Sequence, residues 1–222
     1  MKALSHVQSV VERRNTIPIL SNVMIEAAKG QLKLTATDLD IEIVEAIPSD
    51  VLRNGAATAP AHMLYDIVRK LPEGAQASLE TSGDAGQLVL RSGRSRFTLQ
   101  ALPASDFPDL TSGDFPHRFS LPAVELKRLI ENTQFAISTE ETRYYLNGIY
   151  LHTVDIGGTP MLRAVATDGH RLARVELPLP KGAGDMPGVI VPRKTVGEVQ
   201  RLIEDNEAEV AIELSSGKIR FT

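Results

Sequence analysis

Cysteine is absent from this chain of 222 residues. Its absence excludes disulfides, thiolate nucleophiles and metal sites that use cysteine ligands. A chain without cysteine is also compatible with a reducing compartment, so we expect a cytoplasmic protein.

Long apolar runs are absent as well. The best run, from Ile17 to Ile25, is interrupted by Pro18, Ser21 and Asn22, so it is too short and too polar to span a bilayer. The N-terminus shows no basic region followed by an apolar stretch, which excludes an evident secretion signal. We therefore expect no membrane partner.

The sequence lacks a G-x-S-x-G nucleophile elbow, and no third metal ligand lies at a useful spacing from Asp168 and His170. No catalytic residue, metal site or cofactor is therefore predicted, and the chain is interpreted as a non-enzyme. An alternative stays open, in which a small hydrolase or metal-dependent enzyme uses Asp168, His170 and Glu176 with the rest of the chain as a scaffold.

Net charge is −4, which taken alone argues against a nucleic-acid partner. The predicted helices nevertheless carry a small excess of cations, including Arg13, Arg14, Arg69 and Lys70, while the rest of the chain is acidic. If the helices share one face, that face would be cationic and would favour a polyanion. Ordinary solvated helix surfaces would give the same pattern.

Three prolines precede apolar stripes. Pro60, Pro122 and Pro192 are each followed by apolar residues four and seven positions later, the spacing of one helix face. A similar stripe begins near the N-terminus with Leu4 and Val7. The pattern predicts four helices, over residues 2–14, 61–71, 123–137 and 193–206.

Alternating apolar residues predict short strands between these helices. Glycines at 83, 86 and 93 mark turns. The Thr37-Asp38 pair returns 130 residues later as Thr167-Asp168, which indicates an internal duplication. The predicted strands are 22–27, 31–36, 40–47, 77–80, 87–91, 95–101, 147–154, 162–167, 171–177, and two that begin at Ala208 and Lys218.

The predicted architecture is α+β, with tandem domains that each contain two helix-plus-meander units, helices on one face and antiparallel sheets on the other. The breaker-rich stretch from Pro103 to Pro116 separates the halves. We predict domains at 1–108 and 117–222 with a linker at 109–116. Because the chain begins inside a predicted helix and ends inside a predicted strand, we expect a fragment with both ends cut.

Five motifs in order carry a family resemblance. The chain resembles the bacterial sliding clamp family, the β subunit of DNA polymerase III holoenzyme, along its whole length. By this resemblance it covers the first domain without its opening strand and most of the second domain, and a third domain is absent. The motifs are TIPILSN (16–22), RSGRSRF (91–97), RYYLNG (143–148), ATDGHRL (166–172) and VIVPRK (189–194).

The resemblance implies a DNA-clamp fold and the function of a DNA polymerase processivity factor. Subunits in this family pair head to tail into a homodimeric ring around duplex DNA, with helices inside and sheets outside. It also implies docking of the polymerase catalytic subunit, the clamp loader, and other replication and repair proteins through short linear motifs.

Three sets of site residues follow from the resemblance. The implied DNA-binding residues are Arg14, Arg69, Tyr144, Tyr145, Arg193 and Lys194; the peptide-pocket residues are Leu146, Thr167, Gly169, His170, Arg171 and Leu172; the subunit-interface residues are Arg94, Arg96, Phe97 and Leu99.

Several of these residues have a structural alternative. Tyr144 and Tyr145 could be a strand-edge pair packed on the core, and Leu172 could be a core residue of its strand. Arg69 could instead stabilise the C-terminal end of its helix through the helix dipole. The interface residues could belong to an ordinary strand with alternating cations.

Overall fold

The computed structural model describes residues 1–82, 86–110, 113–140, 142–203 and 208–222. The chain divides into two compact units, Met1–Ser112 and Gly113–Thr222, and each unit is described by itself. The predicted turn glycine at 83, the acidic residues 204 and 205 of the predicted fourth helix, and linker residues 111 and 112 lie outside the described residues.

In its described residues, the first unit contains two α-helices and seven strands, besides two short 3₁₀ turns. In chain order these helices and strands are α1 (Lys2–Val7), β1 (Asn22–Ala28), β2 (Gln31–Thr37), β3 (Glu42–Pro48), β4 (Gly55–Pro60), α2 (Ala61–Val68), β5 (Ser78–Ser82), β6 (Gln87–Ser92) and β7 (Ser95–Gln100). The strands form two antiparallel sheets, one with the order β3-β2-β1-β4 and one with the order β5-β6-β7.

The second unit has a similar plan. Its α-helices and strands are β8 (His117–Pro122), α3 (Ala123–Glu131), β9 (Gly148–Ile156), β10 (Thr159–Thr167), β11 (Leu172–Pro178), β12 (Val189–Pro192), α4 (Arg193–Leu202), β13 (Glu209–Leu214) and β14 (Ile219–Phe221). Its sheets have the orders β11-β10-β9-β12 and β14-β13-β8. The four-stranded sheets of the two units therefore share one strand order, whereas the three-stranded sheet of the second unit includes β8 from the start of that unit.

Helices α2, α3 and α4 begin directly after Pro60, Pro122 and Pro192, as the sequence predicts. Each proline is also the last residue of an edge strand, β4, β8 or β12. Proline lacks an N–H donor, so it is tolerated on a strand with only one paired neighbour. One residue therefore ends a strand and fixes the start of the next helix.

Several predicted boundaries are wrong. All four helices end earlier than predicted, and the predicted 2–14 helix stops at Val7. A separate 3₁₀ turn, Gln134–Ala136, replaces the last turn of the predicted third helix. Strands β4, β8 and β12 were not predicted, although Phe119 and Leu121 of β8 alternate with exposed residues.

Helices pack on sheets within each unit. Helix α1 contacts β2, β3 and α2, while α4 contacts β9, β12 and α3. In the first unit Val7, Val23 and Leu64 are at most 1% exposed, and in the second unit Leu162 and Ile212 are fully buried. Apolar burial of this kind provides the main favourable free energy of folding.

No helix within the described ranges is long and apolar enough to cross a membrane.

Candidate functional site

A short turn in the second unit carries the two adjacent tyrosines. Residues Tyr144–Leu146 form a 3₁₀ turn, and Asn147 follows it. The Arg193 N–H donates to the Asn147 carbonyl at 3.0 Å, which joins this turn to the start of α4. Four predicted DNA-binding residues, Tyr144, Tyr145, Arg193 and Lys194, therefore belong to two segments that meet at one backbone hydrogen bond.

Gly148 allows that close approach. It pairs with Pro192 at the end of β12, and a Cβ atom at this position would lie 2.7 Å from Ile190 Cγ2 and would also collide with the Val191 carbonyl. At position 148 of β9, only glycine allows β12 to lie this close without displacement of its backbone.

The tyrosine rings extend into solvent. Tyr144 is 78% exposed and Tyr145 is 56% exposed, and their rings form an edge-to-face pair with centroids 5.6 Å apart. The alternative of a strand-edge pair packed on the core is therefore wrong. Arg193 and Lys194 are exposed in the first turn of α4, where the helix dipole disfavours cations. Helix stability does not explain their position.

The two predicted DNA-binding cations of the first unit, Arg14 and Arg69, come after the ends of helices α1 and α2 in the chain. Arg14 is exposed in the loop after α1, outside the helix predicted to contain it. His62 of α2 binds that loop through Gln8 Oε1 at 2.7 Å and the Val11 carbonyl at 2.9 Å. Arg69 is the residue that caps α2, with its Nε 2.8 Å from Asp66 Oδ1, so a role at the helix end also stays open.

The predicted interface residues belong to β7 and the turn before it. Strand β7 is an edge of its sheet. Arg94 and Arg96 are exposed, and Phe97 lines a groove of about 620 Å³ together with Ile67 of α2. Leu99 is only 2% exposed and packs in the core of the unit. Its side chain therefore does not offer a contact to another subunit, whereas the backbone of the edge strand β7 does, and the assignment of Leu99 to the interface stays a prediction.

The turn between β10 and β11 contains most of the predicted peptide pocket. Thr167 Oγ1 donates to the Arg171 carbonyl at 2.7 Å and accepts the Gly169 N–H at 3.1 Å. Asp168 Oδ1 accepts the N–H groups of His170 and Arg171, both at 3.0 Å. Gly169 has φ +89°, which a residue with a side chain rarely adopts.

Asp168 stabilises this turn in its ionised form. The backbone N–H groups of His170 and Arg171, with the Arg171 guanidinium as a smaller cause, lower the pKa of Asp168 to about 2 from its ordinary 3.8. The carboxylate therefore stays charged at neutral pH and serves as an acceptor within the turn.

Apolar and cationic side chains surround the turn. Leu172 is 64% exposed, so its interpretation as strand core is wrong, and Leu146 is half-buried. The Arg143 guanidinium lies beside Gly169: a Cβ atom built on Gly169 would be 3.5 Å from Arg143 Nη1. The Phe135 ring lies 5.5 Å from the Arg171 guanidinium carbon.

Phe135 and Arg143 were missed as site residues. Arg143 stands at the start of the RYYLNG motif, which could have indicated it. Nothing in the pattern around Phe135 distinguished it from a residue of the predicted third helix.

The first unit contains a matching turn. Thr37 Oγ1 accepts the Leu39 N–H at 3.0 Å, and Asp38 Oδ1 accepts the N–H groups of Asp40 and Ile41 at 3.0 and 2.7 Å. Leu39 has φ +81°, close to the value at the equivalent Gly169. The repeated Thr-Asp pair is thus repeated in geometry, as a duplication predicts.

Family models match both halves of the chain. The model described as DNA polymerase III beta subunit, N-terminal domain, matches residues 1–111, and the one described as its central domain matches residues 120–222. The chain belongs to the DNA polymerase III beta subunit family. The resemblance inferred from the five motifs is confirmed, and so is the α+β clamp fold.

Members of the DNA polymerase III beta subunit family align along the entire chain. The beta sliding clamp of Caulobacter vibrioides is 58% identical over 221 residues, covering 100% of this chain and 59% of the relative. That of Salmonella typhimurium is 42% identical, covering 99% of this chain and 58% of the relative. The chain thus spans less than two thirds of the length of these relatives.

Solved structures of the family superpose closely. A crystal structure of the C. crescentus beta sliding clamp with bound PEG has a TM-score of 0.96 at 58% identity, covering 99% of this chain and 58% of that one. A Bartonella birtlesii sliding clamp bound to griselimycin has a TM-score of 0.95 at 55% identity, covering 100% of this chain and 59% of that one.

The hydrolase or metal-enzyme alternative is not supported by membership of this family. Glu176 Oε1 binds Arg163 at 2.7 Å and Arg174 at 3.3 Å. It lies about 13 Å along β11 from Leu172, at roughly 3.3 Å per residue, whereas Asp168 is part of the preceding turn. In the part of the chain that the structure describes, no three His, Asp or Glu side chains could hold a metal ion together.

Proposed function

We propose that this chain is part of a DNA polymerase processivity factor, a sliding clamp that encircles duplex DNA without sequence specificity. The observation that carries the proposal is the match of its two halves to consecutive domains of the beta subunit family. By the resemblance, a third domain and a second subunit complete the ring.

The proposed DNA-binding residues suit a weak contact that lets the protein slide along the duplex. Arg14, Arg193 and the two exposed tyrosines can approach a phosphate backbone without reading base edges. Non-specific binding through a few phosphates has a Kd of about 10⁻⁴ to 10⁻⁶ M at physiological salt. Retention on DNA would therefore come from ring closure rather than from affinity.

Charge reversal tests the DNA surface. We expect Arg14→Glu and Arg193→Glu to weaken duplex binding, each lowering the slope of log K against log salt by about 1, because each removes one phosphate contact. Fluorescence anisotropy with a short duplex measures both the affinity and the slope.

Lys181→Glu is the matched control, since Lys181 is an exposed cation outside the proposed surface. A loss of affinity in the control equal to that in Arg14→Glu and Arg193→Glu would show that only net charge matters, and would refute the assigned surface.

We also propose that the Thr167–Leu172 turn, with Leu146, docks short linear peptides of the polymerase catalytic subunit, the clamp loader and repair proteins. The exposed Leu172 offers an apolar contact, and the fixed turn presents His170 and Arg171 as polar partners. A groove with apolar walls and a few polar groups suits an extended peptide.

Alanine substitutions test the docking surface. We expect Leu172→Ala to weaken binding of a peptide copied from the C-terminal segment of the polymerase catalytic subunit by roughly tenfold, the loss of one buried leucine contact. His170→Ala should weaken it less. Leu39→Ala, on the equivalent turn of the first unit, is the control and should bind as the unchanged chain does.

Unchanged affinity in both Leu172→Ala and His170→Ala would refute this pocket.

Further parts of the proposal rest on the family alone. Arg94, Arg96, Phe97 and the backbone of Leu99 would form the first-domain side of the subunit interface, next to the groove along α2. The protein would be non-catalytic, would need no cofactor, and would act in the bacterial cytoplasm. The proposed domains are 1–108 and 117–222, joined by a linker at 109–116.

A further inference from the structure

Phe135 is a large aromatic side chain that is exposed to solvent although several residues around it are buried. It is 54% exposed, whereas its neighbours Ala136 and Ile137 are at most 4% exposed. Thr133, which is fully buried, donates from Oγ1 to the Leu129 carbonyl at 2.6 Å. The 3₁₀ turn Gln134–Ala136 packs on β10 and β11. Because Ala136 is its buried residue, core packing does not account for the exposed phenyl ring.

The ring contacts one cation of the peptide surface. The Arg171 guanidinium carbon lies 5.5 Å from the ring centroid, within the range of a cation–π contact. Arg171 Nε also donates to Asp168 Oδ2 at 3.0 Å. An exposed arginine otherwise samples many rotamers, and these two contacts restrict it from two different segments of the chain.

We propose that Phe135 is a positioning residue of the peptide site: it holds the Arg171 guanidinium in place so that the donors not used by Asp168 can bind an acceptor oxygen of a docked peptide. Arginine has five N–H donors, and the Asp168 contact uses the one on Nε. This inference rests on the proposed docking function. It adds a residue that acts through Arg171 rather than by touching the peptide.

The first experiment tests the contact without any peptide. The Arg171 Nε–H signal of the full chain is assigned by its loss in Arg171→Lys. We expect Phe135→Leu to shift this signal, because the ring current of the phenyl group is removed, and Phe135→Tyr to leave it in place. An unshifted signal in Phe135→Leu would overturn the proposal.

The second experiment is a double-mutant cycle on binding of the polymerase C-terminal peptide. We expect Phe135→Leu to weaken binding about two- to fivefold, the size of an exposed cation–π contact, and Phe135→Tyr to restore it. In an Arg171→Met background, Phe135→Leu should change nothing further. A loss of the same size in that background would overturn the proposal, since Phe135 would then act on the peptide itself.

The two proposals can fail separately. If the unchanged chain bound no peptide while Phe135→Leu shifted the Arg171 signal, the docking function would fail and the contact would stand. If the peptide bound equally well to the unchanged chain and to Phe135→Leu, docking would stand and the positioning role would fail. Because Phe135 is 54% exposed, its substitution should change the thermal unfolding midpoint little.

Discussion

At the scale of single residues, Asp168 is the clearest example of a side chain that fixes local geometry. Its carboxylate accepts two backbone N–H groups and the Arg171 Nε–H. These contacts favour the charged form, so the pKa falls to about 2.

This pKa gives a pH prediction with a definite sign. A carboxyl group whose pKa is lowered in the folded state contributes stability that is fully present above its ordinary pKa of 3.8 and is lost as the pH falls through about 2. We expect NMR titration of Asp168 to show a midpoint near 2. Stability should fall less between pH 4 and pH 2 in Asp168→Asn than in the unchanged chain.

A midpoint near 3.8 would contradict the hydrogen-bond account of this turn. Asp155→Asn serves as the control, because the Asp155 side chain accepts only one described backbone N–H, from Gly158 at 2.8 Å.

The sequence predicts a turn here, because the predicted strands 162–167 and 171–177 leave only three residues between them. Thr167, Asp168 and Gly169 belong to one contiguous motif, and the Thr37-Asp38 repeat indicates a duplication. Phe135 and Arg143 reach the turn from other segments of the chain. Arg143 begins the RYYLNG motif, which could have indicated it, whereas the position of Phe135 depends on how α3 ends and where the following turn packs, which no local pattern records.

At the scale of elements, the prolines explain both the successes and the failures of prediction. The helix starts after Pro60, Pro122 and Pro192 are predicted because apolar spacing follows each one. The strands that end at the same prolines are missed. Strand β4 has only small residues before Pro60 and β12 has only four residues, so pairing with a neighbouring strand rather than alternation makes these two segments strands. Strand β8 does alternate, with Phe119 and Leu121 buried, and was missed despite this pattern.

Apolar spacing also led to a predicted first helix, 2–14, that is longer than the observed α1. Leu4, Val7 and Val11 are all buried, as a helix stripe predicts. The backbone nevertheless leaves the helix after Val7, and Val11 reaches the core from a loop whose carbonyl binds His62. Burial was predicted correctly, but the conformation that achieves it was not.

The contact at Gly148 gives a prediction for the β9–β12 pair. We expect Gly148→Ala to lower the free energy of unfolding by about 1–3 kcal/mol, because its Cβ would overlap the β12 backbone. Urea denaturation measures the change. Gly184→Ala is the control, since a Cβ there would have open space around it.

Equal stability of the Gly148→Ala and Gly184→Ala variants would show that β12 moves aside at little cost. In that case the tyrosine turn and the start of α4 would not be held together by this close approach.

At the scale of the whole molecule, duplication organises the chain. The two units share a strand order in their four-stranded sheets, and they share the Thr-Asp turn. A repeated scaffold of this kind commonly acts through an extended surface rather than a single catalytic pocket. The proposed DNA-binding cations agree with this expectation, since Arg14 belongs to one unit and Arg193 to the other.

The central proposal is that a full-length clamp containing these two units holds DNA by encircling it. The most direct test loads that protein onto closed circular DNA with its clamp loader and then cuts the circle, with retention followed by gel filtration at moderate salt. We predict that the clamp stays on the closed circle and leaves the cut DNA. Equal retention on closed and cut DNA would contradict the account, because binding would then depend on affinity rather than topology.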